Sequence, residues 1–307
     1  MTFADRDGFI WLDGEWLNWR DAKVHVLTHT LHYGLGVFEG VRAYEAEKGT
    51  AIFRLHDHTA RLFRSAKIMN IKIPFTEAEL NEAQLESVRR NGLKSAYLRP
   101  LVFLGSEGMG LRADNLKPHV MVASWVWGAY LGNEALTKGI RVRTSSFTRH
   151  HVNITLCKAK AVGNYSNSML ALQEAVQCGA DEAMLLDPEG YVAEGSGENI
   201  FIVRDGVLYT PELTSCLEGI TRDTVLQLAK DEGLTVKEAR ITRDTVYVAD
   251  EAFFSGTAAE ITPIRMVDGR EIGNGSAGPI TQRLQKQYFD LVKGKLPKKY
   301  EKWLSYI

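Results

Sequence analysis

Cysteine is scarce: Cys157, Cys178 and Cys216 are the three in 307 residues, an odd number with no Cys-x-x-Cys spacing. That pattern excludes a disulfide framework and a cysteine-built zinc cage, and it fits a reducing compartment. An excess of one charge is lacking as well. The 37 Lys and Arg against 38 Asp and Glu leave a formal net charge of -1, so no basic surplus is available to neutralise a phosphate backbone, and no nucleic-acid partner is expected. Long apolar runs are missing: the longest, Val120 to Leu131, is interrupted by Gly128 and falls short of the roughly 18 residues that span a bilayer. Near the start, Asp5, Arg6 and Asp7 stand where a secretory signal needs apolar residues, so the mature chain is expected to begin there and to remain cytoplasmic, away from membranes. No Walker sequence, Gly-x-Ser-x-Gly elbow or His-Glu-x-x-His pair occurs, which removes the usual sequence support for nucleotide hydrolysis, acyl transfer and zinc hydrolysis. The string Gly34-Leu-Gly36-Val-Phe-Glu-Gly40 places three residues between its second and third glycines, where a dinucleotide fingerprint has two.

What is present belongs to a folded chain. Hydrophobic residues make up 45% and charged ones 24%, the proportions of globular proteins, and the length predicts about two domains. Phe9 to Leu12 and Val24 to Val26 read as short strands, with Asp13-Gly14 as a turn. Leu55 to Asn70, with Leu62, Ala66 and Met69 on one stripe, reads as a helix. Thr76 with Glu79 forms a capping box ahead of Leu80, Ala83 and Val88, and Asn91-Gly92 ends that helix. Tyr97 to Leu104 and Val120 to Trp127 read as strands. Gly128 to Asn133, with two glycines, predicts a connection, giving a smaller domain over 1–127, a connector over 128–139 and a larger domain over 140–307. In the second half, Asn164 to Cys178 and Thr221 to Glu232 are predicted helices, and hairpins turn at Pro188-Glu189-Gly190 and Asp205-Gly206. Antiparallel hairpins mixed with helices predict an α+β fold.

Four separated pieces suit a phosphorylated aldehyde ligand. Lys158-Ala-Lys160-Ala-Val-Gly-Asn-Tyr165 offers two lysines among small residues, alternate on one face, either of which desolvation would make a nucleophile. Taken alone, both read as solvated surface charges. Tyr191-Val-Ala-Glu194-Gly-Ser-Gly-Glu198 presents carboxylates at a strand end beside small residues that admit a flat ring; a plain turn with exposed glutamates is the alternative. Leu217-Glu-Gly219-Ile220-Thr221 opens a helix whose first amides suit an anion, or is a plain N-cap. Ser255-Gly256-Thr257-Ala258 adds further amides and hydroxyls. The histidine pairs His29/His32 and His150/His151 lack the spacing that sets two ligands on one helical face, so no metal is expected.

In this order the four pieces resemble the class IV, or branched-chain, aminotransferase family of pyridoxal-phosphate enzymes, from Phe9-Ile-Trp to Trp303. The resemblance implies that family's two-domain fold, with a barrel-like sheet in the larger domain, and pyridoxal phosphate as cofactor. It selects Lys160 over Lys158 as the lysine that joins the cofactor, five residues before the tyrosine of Gly-Asn-Tyr165. It implies Tyr165 at the cofactor's phenolic oxygen and Glu194 at its ring nitrogen. Arg61, Leu217, Gly219, Ile220, Thr221, Gly256 and Thr257 would surround the phosphate, and Arg64 is the weaker choice beside Arg61. Val-Phe38-Glu-Gly-Val-Arg42, Tyr97-Leu-Arg99 and Gly108-Met109-Gly-Leu111 are similar to the branched-chain type. On that likeness Tyr97 with Thr257 and Ala258 would hold the substrate α-carboxylate, and Arg99 the distal carboxylate of glutamate. Phe38, Tyr33, Trp127, Tyr130, Met109 and Leu111 would wall the side-chain pocket, with Tyr33, Met109 and Leu111 supplied by the second subunit of a homodimer or larger homo-oligomer. The activity implied is reversible ping-pong amino transfer from leucine, isoleucine or valine to 2-oxoglutarate. Rival readings are a D-amino-acid or amine transaminase, an aminodeoxychorismate lyase, or a non-catalytic protein that binds the cofactor.

Overall fold

Apolar alternation and capped amphipathic stretches gather into two units. The computed structural model describes residues 2–112, 114–128 and 132–307, and of Asn133 the backbone. One unit comprises Met1–Trp127, Ala159–Gly163 and Val292–Ile307, the other Gly128–Lys158 and Asn164–Leu291. The chain passes to the second unit after Trp127, and two later segments return to the first. Residues 159–163 join the first unit because Ala161 bridges Val37 and the Phe38 N–H donates to the Lys160 carbonyl at 3.0 Å. The C-terminal segment joins it because Leu304–Tyr306 pairs antiparallel with Gly49–Phe53. Pairings between such distant stretches leave no local signal in composition.

Among the described residues the first unit carries strands β1 (Phe9–Leu12), β2 (Glu15–Asn18), β3 (Gly36–Phe38), β4 (Val41–Ala46), β5 (Gly49–Phe53), β6 (Ala96–Leu104) and β7 (Pro118–Trp125). They form an antiparallel sheet in the order terminal strand, β5, β4, β6, β7, β1, β2, with β3 also on β6. Helices α1 (His29–Tyr33), α2 (Leu55–Ile68) and α3 (Glu77–Arg90) accompany it. Leu62 and Ala66 of α2 and Leu80 and Ala83 of α3 share a core with Val102, Val120 and Val122; each buried leucine contributes about 1.5–3 kcal/mol. The Thr76 box is present with both reciprocal bonds. Helix α2 stops at Ile68, one turn's edge before the predicted Asn70, because Asn70 takes a left-handed φ of 55°. Val24 to Val26 is not a strand: both valines are exposed and the segment joins no ladder, so β propensity without a partner strand is not enough.

The second unit carries β8 (Ile140–Thr144), β9 (Glu182–Leu186), β10 (Val192–Gly195), β11 (Asn199–Arg204), β12 (Val207–Thr210), β13 (Val236–Glu238), β14 (Glu251–Gly256), β15 (Glu260–Val267) and β16 (Arg270–Glu271). Their order is β10-β9-β8-β15-β14-β11-β12-β13, with β16 on β15, in an open, curled sheet. It is mixed: β8 runs parallel to β9 and β15, and β12 to β13. Asp205 and Gly206, both at positive φ, make the tight turn between β11 and β12 that Asp-Gly favours. Helix α4 (Asn133–Lys138), α5 (Tyr165–Gln177), α6 (Ile220–Asp231), α7 (Arg243–Tyr247) and α8 (Pro279–Val292) complete it. Ala171 and Ala175 of α5 pack on Ala183 and Leu185 of β9. The α+β architecture is the one expected. No helix of the described residues is long and apolar enough to cross a membrane.

Candidate active site

In the first unit, β3 ends at Phe38, whose N–H holds the Lys160 carbonyl at 3.0 Å. The Lys160 N–H donates to Ser65 Oγ at 3.0 Å, so the main chain is fixed on both sides of this lysine. Its Nζ lies 5.1 Å from the centre of the Phe38 ring. The Arg99 guanidinium covers the same ring at 4.6 Å. Tyr97 and Arg99, two apart on β6, share a face, and Arg99 Nη2 donates to the Tyr97 hydroxyl at 3.0 Å. Arg99 Nε is buried without a hydrogen-bond partner among the described residues, which leaves a donor suited to a carboxylate. Tyr97 meets Trp127 edge-on at 4.5 Å. A Cβ on Gly40 would sit 2.1 Å from the Tyr97 hydroxyl, so this close approach requires glycine.

Arg61 is buried on α2 and grips Glu39, Nε to Oε1 at 2.7 Å and Nη2 to Oε2 at 2.9 Å. His58, one turn earlier on the same face, meets Glu39 Oε2 through Nδ1 at 2.7 Å. Burial alone would raise the Glu39 carboxyl, but Arg61 and His58 hold it well below the usual carboxylate range. Burial also keeps His58 below its ordinary value, outweighing Glu39, so it serves as a neutral donor and Arg61 supplies the countercharge. Two of the five guanidinium N–H groups that the sequence assigned to phosphate are therefore committed to Glu39.

In the second unit, Glu194 on β10 is buried and receives Arg149 Nε on Oε1 at 2.8 Å. Its Oε2 receives the Leu217 N–H at 3.3 Å. Asn199 ties the remaining pieces together: its Nδ2 donates to the Leu217 carbonyl at 3.1 Å, and as the first residue of β11 it pairs with Ser255 of β14. Gly219 is the N-cap of α6. A Cβ there would stand 1.9 Å from Asn199 Oδ1, so glycine lets the loop close on the asparagine. The first turn of α6, with Ile220 and buried Thr221, presents amides that no intrahelical carbonyl satisfies, a favourable place for an anion. Ser255 Oγ is buried without a partner among the described residues, next to Gly256, Thr257 and Ala258, which are half-buried. Burial, reinforced by the Glu194 charge, pushes the Cys216 thiol up to about 12, so it is a neutral packing group.

Of the expected residues, Phe38, Tyr97, Arg99, Trp127 and Lys160 come together in one unit, and Glu194, Leu217, Gly219, Ile220, Thr221, Gly256 and Thr257 belong to the other, where Asn199 meets Leu217, Gly219 and Ser255. Tyr165 opens α5 three residues before Ser168, an acceptor of Arg149. Lys158 turns its Nζ to the carbonyls of Leu213 and Cys216, with Glu218 at 3.8 Å, as a charged loop tie. Tyr33, Met109 and Leu111 are exposed, the last at 90%, and Tyr130 lies outside the described residues. His29 and His32 direct Nε2 at the carbonyls of Gly110 and Val26. Sequence reasoning passed over Glu39, Arg149 and Asn199. A glutamate and an asparagine inside apolar strings were the available signal for the first and last; Arg149, in an irregular stretch, had none.

A family model described as amino-transferase class IV matches residues 36–267. The branched-chain-amino-acid aminotransferase of Pseudomonas aeruginosa PAO1 is 69% identical over 295 residues, 96% of either chain. A crystal structure of the T.th. branched-chain amino acid aminotransferase with pyridoxamine 5'-phosphate superposes with a TM-score of 0.95 at 54% identity, covering 98% of this chain and 99% of that one. The Escherichia coli branched-chain amino acid aminotransferase structure superposes at 0.96 with 47% identity and the same coverage.

Proposed function

The chain belongs to the class IV amino-transferase family, and we propose that it moves the amino group of leucine, isoleucine or valine to 2-oxoglutarate, reversibly, on pyridoxal phosphate. The donor set fits that cofactor: Glu194 Oε2 carries one long hydrogen bond, Ser255 Oγ has no partner among the described residues, and the first turn of α6, capped at Gly219, offers amides suited to an anion. When bound, the cofactor supplies an electron sink for the carbanion left by loss of the substrate α-proton.

The chain's own groups do the rest. Lys160, its backbone fixed at Phe38 and Ser65, carries the amine that takes the α-proton and returns it. Glu194 accepts from the ring N–H. The amides of Gly219, Ile220, Thr221, Gly256 and Thr257, with Arg61, hold the phosphate, and Tyr165 meets the phenolic oxygen. Tyr97, Thr257 and Ala258 bind the α-carboxylate; Phe38 and Trp127 wall the apolar pocket. The exposed Tyr33, Met109 and Leu111 complete the same pocket in a second copy, making the enzyme a homodimer or a larger assembly with shared sites, working in the cytoplasm. Free cysteines accord with that setting.

One observation carries the substrate reading: the Arg99 guanidinium lies over the Phe38 ring with its Nε unpartnered among the described residues. A cation on an apolar wall suits a pocket that takes either a branched side chain or, by adding a carboxylate to Arg99, glutamate. Arg99→Ala should therefore cut the glutamate half-reaction about a hundredfold while the leucine half-reaction falls less than about fivefold, measured by single-turnover kinetics. Equal losses in the two half-reactions would remove Arg99 from substrate recognition.

A further inference from the structure

Arg149 belongs to no helix or strand and carries none of the roles assigned above, yet it is 7% exposed. Its backbone N–H is held by the Leu186 carbonyl at 2.8 Å. Nε donates to Glu194 Oε1 at 2.8 Å, Nη1 to Asn167 Oδ1 and Ser168 Oγ at 3.0 Å each, and Nη2 to the Ser196 carbonyl at 3.4 Å. The guanidinium is thus clamped from α5, from β10 and from the turn after β10. A planar fork held at every nitrogen has no freedom to swing, and neither has the carboxylate oxygen it grips.

We propose that Arg149 is a positioning residue for amino transfer: by gripping Oε1 of Glu194, it aims Oε2 at the cofactor's ring nitrogen and keeps the shared proton on that nitrogen. The inference rests on the reading of Glu194 given above. Oε2 has spare acceptor capacity, since the Leu217 N–H reaches it only at 3.3 Å. A proton between a carboxylate and a pyridine nitrogen resides on the stronger base. A buried carboxylate without a countercharge becomes that stronger base, takes the proton and leaves the ring a poor electron sink. Arg149 opposes this as a fixed countercharge, its Nε held 2.8 Å from Oε1. The other titratable groups around the pair do not substitute for it. The Cys157 and Cys216 thiols are raised by burial and stay neutral, Glu182 is likewise raised by burial, and Lys158 Nζ is turned to the carbonyls of Leu213 and Cys216.

The test uses holoenzyme reconstituted with pyridoxal phosphate labelled at the ring nitrogen, reading the nitrogen NMR resonance together with kcat and KM for L-leucine. Arg149→Met should move the resonance from the pyridinium toward the pyridine position and lower kcat at least about tenfold, with KM changed less than about twofold. Arg149→Gln, which keeps length and a donor but not the charge, should do the same, and it carries the test if the Met variant does not fold. Arg149→Lys should retain the pyridinium position. In a Glu194→Gln background, Arg149→Gln should cost less than about a further twofold, because the two residues act as one unit. A pyridinium resonance retained in Arg149→Gln, or losses that multiply in the double variant, would overturn the proposal. If Glu194→Gln by itself shifts neither resonance nor kcat, it is the parent reading of Glu194 that fails.

Discussion

Glu39 shows how much of this site depends on single buried charges. Its carboxylate is fully buried between Arg61 and His58, and removing it takes away the buried countercharge of Arg61, a loss of about 3–5 kcal/mol. Because the folded carboxyl is held below its ordinary value of 4.5, its stabilising contribution is complete above that value and disappears as the pH falls toward the folded pKa. Glu39→Gln should therefore unfold at a lower urea midpoint than the parent at about pH 7, and the gap should narrow by about pH 4 as the parent's Glu39 begins to lose that contribution. A gap that stays constant or widens in acid would show that Glu39 is not ionised in the fold. The glutamate is visible in Val-Phe38-Glu-Gly, but its partners lie about twenty residues on. Only the α2 periodicity that sets His58 and Arg61 on one face brings them to it.

At the scale of elements, the legible features are those with local causes. The Thr76–Glu79 box, the Asn91-Gly92 stop and the Asp205-Gly206 turn are each encoded within a few residues, and each appears where expected. Val24 to Val26 fails because a strand needs a neighbour that propensity cannot supply. The opening of α6, proposed to hold the phosphate, lies between these cases: the helix start is readable, whereas its closure onto Asn199 is not. A methyl group at Gly219 would collide with Asn199 Oδ1, so Gly219→Ala should displace that side chain, release the Leu217 carbonyl and cost about 1–3 kcal/mol of stability. The same variant should lose pyridoxal phosphate faster on dialysis. Wild-type melting together with wild-type cofactor retention would contradict the assigned geometry.

For the whole molecule, the order of four short pieces is enough to indicate the family. The crossing of Ala159–Gly163 and of the terminal strand into the first unit depends on pairings with β3 and β5 that no window of sequence contains. It puts Lys160 beside the Phe38 strand. The central claim is that these residues make an L-specific branched-chain transaminase. Its most direct test is the visible absorbance of the holoenzyme on adding L-leucine, then 2-oxoglutarate, with D-alanine in a parallel sample and Lys160→Ala as the control. The account predicts a band that L-leucine bleaches and 2-oxoglutarate restores, that D-alanine leaves unchanged, and that Lys160→Ala lacks. Bleaching by D-alanine and not by L-leucine, or an unaltered band and reaction in Lys160→Ala, would contradict it.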